Sequence, residues 1–373
     1  MSLKAVRFNT QPNQAEFFGT LRKRVSEYFE ANKISKHANA AMVVKTISML
    51  IIYLTPFGLI LSGIFENIWI NIGLWIVMGL GMAGCGLSIM HDANHGAYSS
   101  NQRVNKFIGS VMYLIGGNPA NWRIQHNVLH HSFTNVDGLD EDISPAAILR
   151  FSPTKPRRPM HKYQHIYAYF LYALMTVLWS TTKDFKQVLR YKRMGLAKTQ
   201  NRSSDGIFWE IIISKLFYYA IFLVLPLIYS ATPWYFTFLG YAIMHLLCGF
   251  ILGIVFQPAH VMPKMEFVKP TEKGTVENSW AIHELHTTSN FAPDNKILSW
   301  YVGGLNFQVE HHLFPNICHI HYKPLSKIVR ETATEFGIPY FSIPSFRQAL
   351  SEHTKMLKAL GHYDELPKEY AFA

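Results

Sequence analysis

Residues 68–95 read IWINIGLWIVMGLGMAGCGLSIMHDANH. From Ile68 to Met90 there is no charged side chain, and a helix crossing a hydrocarbon core needs roughly 20 apolar residues. The stretch therefore predicts a membrane span at about 68–90, and the residue directly after it is a histidine. His91 and His95 are four apart, which puts both imidazoles on one helical face. A span that ends on two aligned imidazoles sets the question for the rest of the chain.

Working outward, three more runs have the same character. About 41–63 is apolar apart from Lys45 near its start, and about 211–229 and 234–256 form a second pair. Lys215 is read as lying in the first turn of the third run, where a long side chain can snorkel to the interface. Trp69 and Trp234 sit where aromatic belts are found. Residues 107–117 and 166–179 are apolar but too short to span, which predicts interfacial or re-entrant helices.

The composition agrees. Of 373 residues, 49% are hydrophobic, 14% aromatic and only 16% charged, against about a quarter charged in a soluble domain. Mean hydropathy is just +0.07, so apolar blocks alternate with polar ones. The net charge of +11 fits either a nucleic-acid surface or cytoplasmic segments of a membrane protein, and placement decides. Lys and Arg number 7 in residues 1–42, 15 in 91–207 and 11 in 257–373, while the links 64–67 and 230–233 have none. Positive loops stay on the cytoplasmic side. The reading is an all-α integral membrane protein with four transmembrane helices in two hairpins, both termini cytoplasmic, and a cytoplasmic helical cap. Residues 1–40 form an N-terminal tail, 41–335 the membrane domain and 336–373 a C-terminal tail. The basic excess then faces anionic lipid and acidic partners, not nucleic acid. No apolar segment near residue 1 suggests a cleavable signal peptide. Cys85, Cys248 and Cys318 are too scattered for a disulfide framework or a thiolate metal site.

The unusual count is 18 histidines. Four clusters matter: His91 and His95 in HDANH; His126, His130 and His131 in HNVLHH; His260 just after the fourth span; and His311 and His312 in QVEHH. In an α-helix His126 and His130 share a face, with His131 turned about 100° away. One histidine alone is usually a surface or core residue, and His37, His353 and His362 read as surface residues. His245 lies within the fourth span without an evident role. The four clusters share one membrane face in this topology, and eight buried imidazoles without partners would be costly. A metal supplies a common partner. Imidazole suits iron, zinc and copper, one ion takes about four ligands, and eight nitrogens suffice for two. The residues point to a dinuclear, oxygen-activating site at a membrane surface.

HDANH, HNVLHH and QVEHH, in this order and at these places, resemble the three histidine boxes of membrane fatty-acid desaturases. The flanks HHSFTNVDGLDEDI and LNFQVEHHLFPNICHIHY extend the resemblance, which covers roughly 40–335. Gln308 at the head of the third box is similar to front-end desaturases, which place a new double bond between an existing one and the carboxyl end. The resemblance implies a di-iron centre held by His91, His95, His126, His130, His131, His260, His311 and His312. Gln308 would be a weak ligand or a support, and Asp92, Asn94 and Asp142 are candidates to hold the free ring N–H groups; His283 and His286 in WAIHELHTTSN depart from the polar sequence that family members have there and are read as ring supports or surface residues, with a weak ligand role as the alternative. It further implies O₂ as co-substrate, a fatty acyl-CoA or acyl-lipid substrate, and electrons from ferredoxin or cytochrome b5 with a reductase. The membrane would be a bacterial inner membrane or the endoplasmic reticulum. Many front-end desaturases carry a fused cytochrome b5 domain with an HPGG motif; this chain has no HPGG, so the donor is expected to be a separate protein. Gly79, Gly81, Gly84 and Gly86 are read as close helix packing, with room for an acyl chain as the alternative. Rival readings are a hydroxylase on the same site, a membrane zinc hydrolase using Glu310 as base, and a transporter, which the scarcity of charge within the spans disfavours.

Overall fold

The structure is a computed structural model that describes residues 6–145 and 147–372. Helix dominates it. Four helices are long and apolar enough to cross a membrane: Ala40–Leu61, Ile68–Asn94, Ser204–Tyr229 and Trp234–His260. The third starts earlier than its apolar run because the Ser203 hydroxyl caps it by accepting the Gly206 N–H, so a polar first turn precedes the hydrophobic stretch. The only strands among the described residues are three residues long, in two parallel pairs: Arg7–Asn9 with Thr275–Glu277, and Ser289–Phe291 with Phe341–Ile343.

The chain divides into two compact units. One comprises Ala38–Ile124 and Tyr169–Ile254 and holds most of the apolar helix. Its glycines explain how closely those helices pack. A Cβ at Gly81 would stand 2.5 Å from the Tyr53 backbone nitrogen of the first span, and one at Gly79 would stand 3.0 Å from the Met244 carbonyl of the fourth. A Cβ at Gly84 would meet the Met49 sulfur, and Gly240 admits the Trp75 indole. Gly86, by contrast, has ordinary spacing to Ile115. Three of the four glycines before HDANH therefore serve helix contact, as in other membrane bundles.

Lys215 corrects the expectation of a snorkelling residue. Because the helix starts at Ser204, Lys215 lies well inside it and is buried. Its ammonium donates to Asp184 at 2.8 Å and to the carbonyls of Trp179 at 2.7 Å and Gly116 at 3.1 Å. Burial is thus met by a full set of acceptors, without which a buried charge is not tolerated. His245 also acquires a setting: Nε2 lies 2.9 Å from the Tyr218 hydroxyl and Nδ1 3.1 Å from the Thr176 hydroxyl.

The other unit comprises Met1–His37, Gln125–Ala168 and Val255–Ala373. Both terminal segments are folded into it. Helix Pro12–Asn32 buries Phe17, Leu21 and Val25 against Leu285, Phe307, Leu313, Leu325 and Val329. Near the other end, helix Phe346–His362 buries His353, whose Nδ1 donates to the Val261 carbonyl at 2.8 Å. His353 is fully buried, contrary to its reading as a surface residue, because Ala349, Met356, Leu357 and Leu360 carry the same face inward.

Candidate metal centre

The second histidine motif does not sit on a regular α-helix. Residues Ile124–His130 form a π-helical turn, in which each N–H reaches back five residues. The His131 N–H accordingly bonds to the His126 carbonyl at 2.9 Å. This overturns the expected 100° divergence of His131. The wider turn brings the Nε2 atoms of His126 and His131 within 3.2 Å of each other, while the His126 and His130 rings still stack at 5.3 Å. One turn thus delivers three imidazoles to one place. A second π turn, Cys85–Met90, leads directly into His91. There the rings of His91 and His95 lie 4.8 Å apart, each edge-on to Trp122 at 5.4 and 5.5 Å.

Six of the expected ligands belong to the unit that contains residues 125–168 and 255–373, and they converge. His130, His260 and His312 each offer a ring nitrogen, and these atoms all lie within 4.8 Å of one another. His131 faces His312 at 4.3 Å on one side and His311 at 4.5 Å on the other. His311 in turn stacks on His126 at 5.8 Å. All six side chains are buried. The third motif reaches the cluster because Gln308–Leu313 is a short helix buried on every side.

What holds the rings is as informative as the rings. His312 Nδ1 donates to Glu284 at 2.7 Å, and His130 Nδ1 lies 3.2 Å from both carboxylate oxygens of Asp140. Asp142 is 3.5 Å from the same nitrogen and accepts from Gln125 at 2.6 Å. His260 Nδ1 donates to the Thr287 carbonyl at 3.2 Å, and His311 Nδ1 lies 3.1 Å from the Tyr322 hydroxyl. An imidazole that donates through Nδ1 keeps its lone pair on Nε2, the usual arrangement of a metal-ligating histidine. His260 Nε2 is buried with no hydrogen-bond partner, an atom whose burial is costly unless a further group completes it. The donor set therefore fits a divalent transition metal bound through nitrogen.

The electrostatics agree. Burial by itself would lower the His130 pKa, but Asp140 and Asp142 outweigh it and hold it up to about 9. Asp140 is held below the ordinary carboxylate range because its favourable contacts with His130 and two backbone N–H groups exceed the cost of burial. Burial pushes Glu284 well above its usual value. Asp140 and Asp142 make this part of the site favour positive charge, and a metal cation would meet the same field.

Other candidates have different places. His283 donates through Nε2 to the Thr134 carbonyl at 2.7 Å; Thr134 in turn donates to Glu284 at 2.8 Å, so His283 lies one residue behind the ring support. His286 pairs with Glu266 at 3.2 Å and is half-buried. Asn94 is tied to Arg123 at 2.8 Å and to the carbonyls of Met90 and Gly109. Asp92 lies 4.0 Å from His91 Nδ1. Gln308 is buried, with its Nε2 unpartnered. Glu310, the base required by the hydrolase reading, is engaged otherwise: it accepts from Asn290 at 2.7 Å and Tyr340 at 2.9 Å, and burial raises its pKa to about 7. Sequence reasoning missed Asp140, Glu284 and Tyr322. Asp140 falls in the quoted flank GLDEDI, and Glu284 stands between His283 and His286, but nothing in their spacing distinguishes them from surface acids.

Comparison with known proteins agrees with the geometry. Residues 67–344 match the fatty acid desaturase family model. A "sn-1 linoleoyl-lipid 6-desaturase" of Arthrospira platensis is 35% identical over 91% of this chain and 91% of its own length. A protein of the same name from Synechocystis is 33% identical over 92% and 95%, and an "Acyl-lipid (8-3)-desaturase" of Physcomitrium patens is 34% identical over 93% and 72%. With that match and relatives of this similarity along nearly its whole length, the chain is an oxidoreductase and belongs to the fatty acid desaturase family.

Proposed function

We propose that this desaturase is of the front-end type, acts on an acyl-lipid and inserts a cis double bond on the carboxyl side of an existing one, at the 6 position of a linoleoyl-type chain. The position and the substrate class rest on the relatives named 6-desaturases along nearly the whole chain; the observation that carries the metal centre is the double grouping of imidazoles about His131, with His130, His260 and His312 in one group and His126 and His311 in the other. Such a grouping suits two ions. The proposed ligands are His91, His95, His126, His130, His131, His260, His311 and His312. When bound, two irons supply the power to reduce O₂ and to remove two hydrogens from adjacent methylenes, with electrons from ferredoxin or from cytochrome b5 and its reductase.

The chain's own residues do the rest. Glu284 and Asp140 hold the rings of His312 and His130 in one tautomer and raise their basicity. Tyr322 and the Thr287 carbonyl orient His311 and His260. Burial of the cluster excludes water, which would otherwise compete with an unactivated methylene. In the proposed topology the four spans form two hairpins, both termini and the site are cytoplasmic, and residues 41–335 make up the catalytic domain between flanking segments 1–40 and 336–373.

A feeding experiment tests the reading. The chain is expressed in a host lacking polyunsaturated fatty acids, deuterated linoleate is supplied, and product double bonds are located by mass spectrometry. A new bond at carbon 6 is expected, first in glycerolipid. A product hydroxylated at that carbon would assign the sister reaction, and a bond on the methyl side would overturn the front-end reading.

A further inference from the structure

The second histidine motif is followed by HHSFTN, and its last residue, Asn135, is fully buried. The φ of Asn135 is +57°. That is the left-handed region, which strains most side chains and is visited routinely only by glycine, asparagine and aspartate. A left-handed asparagine commonly closes a turn with its side chain toward water; this one bonds inward on every side. Its backbone N–H donates to Asp140 at 2.9 Å, the acid behind the His130 ring. Its side-chain amide donates to the backbone carbonyls of His260 at 3.1 Å and Glu266 at 3.0 Å. Its own carbonyl accepts from the Val268 N–H at 3.1 Å, and the Asp137 N–H returns to the Val268 carbonyl at 2.8 Å.

These bonds explain the residue type. The backbone admits glycine, asparagine or aspartate. The two carbonyls opposite the side chain can only accept, so the group that faces them must donate twice. Glycine has no side chain and a carboxylate has no N–H. Asparagine alone meets both conditions. The joint it makes lies between two of the proposed ligands: His130, reached through Asp140, and His260, reached through its own backbone. The Thr287 carbonyl sets the rotation of the His260 ring, whereas Asn135 fixes the backbone from which that ring projects.

We infer that Asn135 is a positioning residue for the group of His130, His260 and His312. Its N–H sets Asp140 behind His130, and its amide holds His260 in place, so that two rings 4.8 Å apart present their nitrogens to one ion. The inference rests on the two-ion reading above and adds to it a residue that offers the metal no ligand atom. Asn135 acts only through Asp140 and His260. Loss of its amide leaves two buried carbonyls without donors and frees the His260 backbone to move away from His130.

The test uses purified full-length protein loaded with iron, and follows metal per folded chain against a chelator series. Asn135→Gly keeps the left-handed turn and the N–H to Asp140 and removes only the amide. One of the two ions should then be released at a chelator concentration about tenfold lower, the other as in the wild type, and kcat should fall with KM for the acyl substrate unchanged. Asn135→Asp also tolerates the turn but lacks the amide N–H groups; it should shift release in the same direction, and it carries the test if the glycine variant does not fold. The double variant N135G/H260A separates positioning from folding. An amide that acts through His260 adds nothing once that ring is gone, so the release curve should coincide with that of H260A alone. A further loss of metal in the double variant would overturn the inference, as would unshifted release in N135G and N135D from a wild type that holds two ions. A wild type that binds no metal would instead remove the metal centre itself, and this inference with it.

Discussion

Two buried histidine environments in this chain differ in what surrounds them. His245, inside the fourth span, has both ring nitrogens met by neutral hydroxyls, those of Tyr218 and Thr176. His130 and His312 have one nitrogen each on a carboxylate, and their rings face other imidazoles. A histidine satisfied on both sides by neutral groups is complete and acts as a packing element. A histidine held from behind by an acid, within a cluster of its own kind, is arranged for a cation. Burial is the same in both cases, so burial does not distinguish a ligand from a structural residue; the partners do.

The largest test of this contrast is His312→Ala. Loss of a ligand should reduce desaturation to background and lower the iron bound per chain, with membrane insertion unchanged by fractionation. Wild-type turnover would remove His312 from the ligand set. Glu284→Gln keeps the shape of the side chain and exchanges the carboxyl for an amide that cannot ionise when a cation binds. It should cost roughly 10–100-fold in metal affinity or activity, read as iron retained against a chelator series. The same change at Asp140, to Asn, should act in the same direction. An unchanged retention in both would mean that the acids behind the rings serve folding only.

A third histidine sharpens the comparison through pH. His353 is buried, bonded to the Val261 carbonyl, and burial lowers its pKa to about 4 from an unfolded value of 6.5. The unfolded chain takes up that proton first as pH falls, so the stability from neutral His353 is full above pH 6.5 and is lost progressively down to about 4. The swing is about 3 kcal/mol. His353→Gln should lessen the fall of melting temperature over that window, with His283 still contributing in the same sense, and an unaltered pH profile would exclude the linkage. The smallest effect is expected at His245. His245→Phe removes the ring nitrogen that meets the Tyr218 hydroxyl, while Thr176 keeps its bond to the residue 245 carbonyl, and should cost about 1–3 kcal/mol of stability, with iron content per folded molecule unchanged. A loss of iron there would erase the distinction between the two environments.

Much of this was legible in the residues. Four helices long and apolar enough to cross a membrane appear within a few positions of the apolar runs, because about 20 uncharged residues have few other uses; only the third was displaced, by a polar first turn that hydropathy cannot detect. The histidine motifs were equally plain, since spacing along a helix is a property of the chain. Their geometry was not. The divergence expected of His131 assumed an α-helix, and the π turn that cancels it leaves no mark in composition. Lys215 read as a snorkelling residue because its acceptors, Asp184, Trp179 and Gly116, lie 31, 36 and 99 positions away.

The sequence by itself determined the number of apolar helices, the order of the histidine motifs and the residue types available for a nitrogen-rich metal site, because each follows from local spacing and composition. Tertiary structure alone decided which acids stand behind which rings, that His131 lies between two groups of imidazoles, and that His353 is interior. Those facts depend on contacts between residues as far apart as Thr134 and Glu284, 150 positions along the chain. Such contacts are set by how the buried faces of several elements close on one another, a condition no single segment contains.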